Sequence, residues 1–135
     1  MRYRGLLAIL FLLISLNDME SVANQKKSLK AILDEKKDHR RVLLLYGRDV
    51  AQRYLIDQQQ QLHEQQAGRD ERDLDVVVVI NSLLPEPDRW FLMHSDFKLV
   101  PAEDFMGWLI GKDGGVKHRF TEPIAPADLF GRIDA

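Results

Sequence analysis

Side chains that could do chemistry are sparse in this sequence. It contains no cysteine, which excludes thiolate catalysis, disulfide exchange and lipid attachment through an N-terminal cysteine. Its four histidines never stand four apart on a helix or two apart on a strand, the spacings that metal-ligand pairs use. They are His39, His63, His94 and His118. The pattern predicts no metal site and no cofactor, and without a placed nucleophile or base it assigns no carboxylate pair to acid–base catalysis.

One stretch has the residue types of an anion-binding site. Arg48 and Arg53 flank the predicted start of a helix, where free backbone N–H groups favour a carboxylate or a phosphate. Against this, Asp49 with Gln52 three residues on resembles a capping box and would occupy the helix start itself. An ordinary solvated loop is therefore the stronger interpretation. The hypothesis of a binding surface in this region depends on Arg48, Asp49, Arg53, Tyr54 and Pro101.

A glycine-rich segment, Lys112-Asp113-Gly114-Gly115, invites comparison with a phosphate loop. Its spacing matches neither G-x-x-x-x-G-K followed by Ser or Thr nor a G-x-G-x-x-G that opens a helix. The Asp-Gly pair instead tolerates the positive φ angles of a tight hairpin turn. We therefore expect this segment to join two antiparallel strands.

Composition limits the class of protein. With 135 residues, of which 45% are hydrophobic and 30% charged, the chain has the make-up of one ordinary globular domain. The formal net charge of −2 argues against a nucleic-acid partner, because such proteins carry a clustered positive surface.

The first 23 residues have the pattern of a secretory signal peptide. Arg2 and Arg4 precede the apolar stretch Gly5–Leu16, and Ser21-Val22-Ala23 offers small residues at the two positions that a signal peptidase recognises. An apolar helix of about 12 residues would span roughly 18 Å of a bilayer core of about 30 Å, so we expect cleavage after Ala23 and no stable membrane span. An uncleaved anchor is the alternative. The predicted organisation is a signal peptide (1–23), a lead-in helix or linker (24–40) and one domain (41–135) in an exported protein, periplasmic or extracellular.

The strands of that domain are predicted from apolar runs. Val42–Tyr46, Leu74–Ile80 and Phe105–Gly111 are continuously apolar, which is typical of strands covered on both faces. Val116–Phe120 alternates between apolar and charged residues, as an edge strand with one wet face does.

The helices are predicted from capping residues and spacing. Ser28 caps a short helix, and a helix that begins after Asp49 continues to Gln66 and is closed by Gly68. The glutamine run from Gln58 to Gln61 is interpreted as mostly a solvated helix face. A further helix precedes Phe105 and the last one begins at Pro126. Residues expected in the core include Trp90, Phe91, Phe97, Phe105 and Trp108. The result is an α/β fold in the order βαβαββα, with a mixed central sheet of about four strands flanked by helices.

This order resembles the thioredoxin-like fold. The segments GRDERDLDVVVVI and LIGKDGGVKHRFTEPIAPADLFGRIDA are similar to a bacterial family of unknown function, number 4174, which is itself similar to the peroxiredoxin-like domain of secreted sushi-repeat proteins. The resemblance covers about residues 40–135 and implies a thioredoxin-like fold and export, but no reaction. Its most specific residues, interpreted as structural, are Gly111, Lys112, Asp113, Gly114, Lys117, Arg119 and Pro123.

In redox members of the thioredoxin class, the reactive thiolate lies where the first strand meets the following helix, because the helix N-terminus lowers its pKa. The corresponding stretch here, residues 46–54, has no cysteine. The leading hypothesis is therefore a secreted or periplasmic module that binds a protein or a small ligand without thiol catalysis, and the sequence leans away from an enzyme. Two alternatives stay open: a peroxiredoxin-like oxidoreductase that acts without its own cysteine, and a structural interaction domain that adds its edge strand 116–120 to a partner. The oligomeric state is open as well.

Overall fold

The computed structural model describes residues 19–24 and 26–135, which build a five-stranded sheet with helices on both faces. The strands are β1 (Glu20–Ser21), β2 (Arg41–Gly47), β3 (Leu74–Ile80), β4 (Phe105–Ile110) and β5 (Val116–Phe120). The helices are α1 (Leu29–Lys36), α2 (Arg53–His63), α3 (Gln66–Glu71), α4 (Glu86–His94) and α5 (Pro126–Asp134), with 3-10 turns at Val22–Asn24 and Asn81–Leu83. None of the helices in this part of the chain has the length and apolar character needed to cross a bilayer.

The strands lie across the sheet in the order β1-β3-β2-β4-β5. β3 pairs in parallel with β1 and β2, whereas β4 pairs antiparallel with both β2 and β5. The predicted mixed sheet and the order βαβαββα are confirmed. The fifth strand, β1, is the addition to the predicted count of about four, and it lies in the segment assigned to the signal peptide. Cleavage after Ala23 stays a prediction.

Each face of the sheet has its own apolar core, because the side chains of β2 alternate between the two faces. Leu44 and Tyr46 point to the face covered by α1 and α4, and Leu43 and Leu45 to the face covered by α2 and α5. The helix residues packed on the first face include Leu29, Ile32 and Leu92, and those on the second include Leu55, Leu62 and Leu129. The central strands are therefore covered on both faces, as their continuous apolar runs predict.

The helix predicted to run to Gln66 is two helices. α2 ends at His63, and α3 contains Gly68 in its interior, so Gly68 does not close a helix. The reason for a glycine here is close packing: a Cβ at this position would lie 2.6 Å from Cε2 of Phe130 on α5. The glycine therefore lets α3 and α5 approach each other.

The glutamine run is only partly a wet helix face. Gln60 and Gln61 are exposed, but Gln58 is fully buried and Gln59 is 8% exposed. Gln58 Nε2 donates to the carbonyl oxygen of Ile124 (3.0 Å), and the Ile124 N–H donates to Gln58 Oε1 (2.7 Å). The side chain thus bonds α2 to the chain that enters α5, a use that the local pattern does not reveal.

The predictions for the cap of α1 and for the aromatic core residues are partly correct. The Ser28 hydroxyl caps α1 by accepting from the Ala31 N–H, as predicted. Phe97, Phe105 and Trp108 are buried as expected, but Trp90 is 65% exposed and its ring lies 4.5 Å from that of His94. On α4 it is Leu92, fully buried, that enters the core of this face, and Trp90 stays in solvent.

Candidate functional site

Three loops meet at one end of the sheet, where the strands β2 and β3 finish and β4 begins. Gly47, the last residue of β2, pairs with Ile80 at the end of β3 and with Phe105 at the start of β4. The loops that follow β2 and β3 and the loop that precedes β4 therefore leave the sheet side by side. We call residues 48–52, 81–84 and 100–104 the loop edge. Its loops are hydrogen-bonded to one another: the Arg48 N–H donates to the Asp104 carbonyl (2.9 Å), and the Ser82 N–H donates to the Arg48 carbonyl (3.3 Å).

Arg48 bridges two of these loops. Its Nε lies 3.1 Å from Asp104 Oδ1, and its terminal nitrogen donates to the Ala102 carbonyl at 3.4 Å. The side chain is 54% exposed, but its charge already faces a carboxylate. This arrangement weakens the anion-site hypothesis, because a bound anion would compete with Asp104.

Asp49 does not cap the following helix. Its Oδ1 accepts from the N–H of Ala51 at 2.9 Å, within the loop. The cap of α2 is Gln52, whose Oε1 accepts from the N–H of Leu55 at 2.9 Å. The predicted capping box is therefore wrong, because the helix begins at Arg53, three residues later than an Asp49 cap requires.

Arg53 and Tyr54, in the first turn of α2, line an open groove of about 670 Å³. The Tyr54 ring is 40% exposed and stands edge-on to the ring of Phe105, with centroids 6.0 Å apart. Pro101 is exposed beside the groove but is not one of its walls. Its other lining residues are Gln52, Asp57, Ala102, Glu103, Asp104, Phe105 and Thr121.

The loop edge also exposes apolar side chains that the sequence did not single out. Val50 is 66% exposed, Leu83 54% and Val100 48%, and each belongs to a different one of the three loops. With Tyr54 they are four of the five large apolar side chains that are exposed in the described residues, the fifth being Trp90. No periodic pattern includes them, so the only sequence signal is their position at the ends of predicted strands.

The loop edge has no group that is ready for nucleophilic or redox chemistry. Tyr46, at the end of β2, is 1% exposed, and burial raises the pKa of its hydroxyl although Arg48 and Arg89 act in the opposite direction. It is therefore a neutral core residue at pH 7. Across residues 19–24 and 26–135, no three His, Asp or Glu side chains converge in a way that could hold a metal ion.

The segment Lys112–Gly115 lies at the opposite end of the sheet. Gly114 has a φ of +83° in the turn between β4 and β5, which confirms the predicted hairpin. Asp113 Oδ1 accepts from the Gly115 N–H (2.9 Å), its other carboxylate oxygen lies 2.7 Å from Lys117 Nζ, and Lys112 Nζ lies 2.8 Å from Asp73. Farther along the strand, Arg119 donates to the Asp96 carbonyl. The contacts of Lys112 and Asp113 stabilise the turn.

A family model matches residues 32–135, which is most of the chain, and it is described as Domain of unknown function (DUF4174). The chain belongs to the DUF4174 family. Against curated proteins, no significant match was found.

Three solved structures show the fold of this DUF4174 chain. It is similar to chloroplastic thioredoxin z, with 14% identity and a TM-score of 0.59 over 87% of this chain and 95% of the other. It is similar to yeast mitochondrial 1-Cys peroxiredoxin, with 15% identity and a TM-score of 0.57 over 88% of this chain and 97% of the other. It is also similar to Plasmodium vivax 2-Cys peroxiredoxin, with 15% identity and a TM-score of 0.51 over 76% of this chain and 68% of the other. The DUF4174 chain therefore has a thioredoxin-like fold without cysteine.

Proposed function

We propose that this chain is an exported thioredoxin-like binding module that holds a protein partner at the loop edge and does no thiol chemistry. One observation carries the proposal: three loops present the exposed side chains of Val50, Leu83 and Val100 where the fold class places a reactive thiol, in a chain without cysteine. Exposed apolar clusters that polar residues surround are typical of protein–protein contact sites. Export is supported by Arg2 and Arg4 in front of the apolar stretch Gly5–Leu16.

The shape of the groove favours a protein over a small ligand. Small-molecule sites are concave, mostly apolar and enclose most of the ligand. This groove is open and has many polar walls, and the exposed apolar residues Val50, Leu83 and Val100 lie outside its lining. A partner that covers the loop edge would bury both the groove and these residues.

The charges of the groove indicate the chemistry of the partner. Three acidic residues, Asp57, Glu103 and Asp104, line it with one cation, Arg53. Because Arg48 already pairs with Asp104, the negative excess of the groove comes from Asp57 and Glu103. The exposed face of Tyr54 offers a further contact for a cation, worth about 0.5–1 kcal/mol at an exposed site. The partner that fits is an extended segment with a Lys or Arg next to apolar residues.

The test uses a defined probe, a phage-displayed library of random dodecapeptides selected on the full chain. We expect enriched peptides to combine a basic with an apolar residue, and the Kd of a synthetic enriched peptide to rise at least tenfold in a Val50→Ser, Leu83→Ser double variant. Trp90→Ser, which removes a similarly exposed apolar side chain outside the groove and the three loops, is the matched control. Glu103→Gln should weaken binding more at low salt than at high salt, and Glu64→Gln should not. No enrichment, or equal loss in the control, would overturn the proposal.

A structural role is the second candidate, and the outer edge of β5 favours it. In the described part of the chain that edge pairs with no strand, and its residues alternate between half-buried and exposed. Lys117, held by Asp113, is the kind of charged side chain that limits pairing at an edge. Light scattering during gel filtration tests this candidate: a dimer that Lys117→Ala strengthens would support it, and a monomer for both proteins would not.

A further inference from the structure

Residues 19–24 are built into the domain. β1 pairs in parallel with β3, Glu20 opposite Val77 and Ser21 opposite Val78, and the 3-10 turn Val22–Asn24 follows. We call residues 19–24 the strap. It covers the outer edge of β3, which would otherwise be an edge of the sheet.

The strap places one apolar side chain in each core. Met19 is 3% exposed and packs in the cluster of Leu43 and Leu129, whereas Val22 is 4% exposed and packs in the cluster of Leu44 and Trp108. A segment resting loosely on the surface would not bury side chains on both faces of the sheet. The neighbouring Ala23 is exposed.

An ion pair fixes the strap as well. Glu20 Oε2 lies 2.6 Å from Lys36 Nζ, which also lies 2.7 Å from Asp75 Oδ2. The Lys36 side chain is only 14% exposed, and burial by itself would lower its pKa. The hydrogen bonds to Asp75 and Glu20 outweigh burial, so the pKa of Lys36 is raised. Without Glu20, this half-buried ammonium would lose one of its two carboxylate partners.

Removal of the strap would open an aggregation-prone edge. β3 contains the four β-branched residues Val76–Val79, and an uncovered edge with free N–H and C=O groups is a template for pairing with another chain.

From these contacts we infer that the strap is a permanent part of the folded protein, and that the chain is not cut between Ala23 and Asn24. The small residues Ser21 and Ala23, which resemble a peptidase site in the sequence, flank a side chain that points into the core. Any processing of the N-terminus takes place before Met19, or the chain keeps its apolar N-terminal stretch. This inference does not depend on the proposed binding function.

The first experiment reads the N-terminus directly. The full reading frame is expressed in a bacterial host with a working export pathway, and the protein is recovered from the periplasmic, secreted and membrane fractions. Intact mass and N-terminal sequencing then give the first residue. We expect a start at or before Met19 in every fraction. A product that begins at Asn24 would overturn the inference.

The second experiment tests the packing of the strap in the full chain, kept in one mild detergent because of residues 5–16. Val22→Ser puts a hydroxyl into the core and should lower the thermal midpoint by roughly 3–6 °C, since a domain of this size shifts by about that much for each kcal/mol lost. Ala23→Ser, one residue on and exposed, should leave the midpoint unchanged. Equal midpoints for the two variants would mean that the strap does not pack as described.

Discussion

The buried glutamine on α2 offers a sharp test of how this fold is held together. Gln58 is fully buried, and its amide makes two hydrogen bonds with the backbone of Ile124, 66 residues away. Truncation in Gln58→Ala removes both bonds and leaves the N–H and the C=O of Ile124 without partners. Because Ile124 is itself only 8% exposed, water cannot easily replace the amide.

The expected loss follows from the two orphaned groups. A buried donor or acceptor left unsatisfied costs about 1–3 kcal/mol, so two such groups give about 2–6 kcal/mol. Alanine is a better helix former than glutamine by a few tenths of a kcal/mol, and partial entry of water lowers the sum further. We expect about 3 kcal/mol, which shifts the midpoint of a urea titration by roughly 1–3 M. Gln61→Ala, on the exposed side of the same helix, should change the midpoint little.

The Gln58→Glu variant adds a pH dependence. The new carboxylate can still accept from the Ile124 N–H, but its second oxygen faces the Ile124 carbonyl and is buried. Burial therefore raises the pKa of the new carboxyl above its unfolded value of about 4.3. The folded state then binds the proton more tightly than the unfolded state, so the destabilisation is full at neutral pH. It diminishes as the pH falls through the raised pKa, because the protonated oxygen can donate to the Ile124 carbonyl.

The measurement is urea unfolding of the full chain in the same detergent, followed by far-UV circular dichroism between pH 4 and pH 8. The reasoning is refuted if Gln58→Ala and Gln61→Ala lose the same stability. It is equally refuted if the difference in stability between Gln58→Glu and the unchanged protein does not shrink as the pH is lowered.

Two further variants test packing and charge in the same assay. Gly68→Ala should lower the free energy of unfolding by about 1 kcal/mol, because the new Cβ would lie 2.6 Å from the Phe130 ring and this strain exceeds the gain in helix propensity. Gly131→Ala is the control: its Cβ would have nothing within 4 Å, so the free energy of unfolding should rise by about 0.5–1 kcal/mol. Asp75→Asn should lose about 2 kcal/mol at pH 7, whereas the exposed Asp34→Asn should lose little. Burial acts to raise the pKa of Asp75, but the hydrogen bonds from Arg40 and Lys36 outweigh it and lower this pKa below its usual value of 3.8. The loss of stability in Asp75→Asn is therefore full above pH 3.8. It vanishes as the pH falls through the lowered pKa, because the carboxylate of the unchanged protein is then protonated as well.

The central sheet could be predicted because its signals are local. The continuous apolar runs of β2, β3 and β4 have few other solutions in a chain of this length, and the Asp-Gly pair before Gly115 accounts for the hairpin. The missed features depend on distant partners. Gln58 is buried because it finds a backbone amide in another part of the chain, and Gly68 is needed because Phe130 packs on it. β1 was hidden because two paired residues carry no pattern of their own.

The candidate site was harder to predict for a different reason. Arg48 and Asp49 drew attention as charged residues at a helix start, yet in the folded protein one is paired with Asp104 and the other bonds within its own loop. The sequence did not single out Val50 and Leu83, because a single apolar residue in a loop belongs to no periodic pattern. Their common position becomes visible only when the sheet brings the ends of its strands together.

The two ends of the sheet therefore differ in what their residues do. The segment Lys112–Gly115 fixes the hairpin at one end through Asp113 and through the pair of Lys112 with Asp73. These contacts hold the hairpin in place, so they do not indicate what the protein binds. The loop edge at the other end has exposed apolar side chains that the fold does not require. Because these side chains lie in solvent, substitutions there should spare stability and change binding, so the search for binding residues starts at the loop edge.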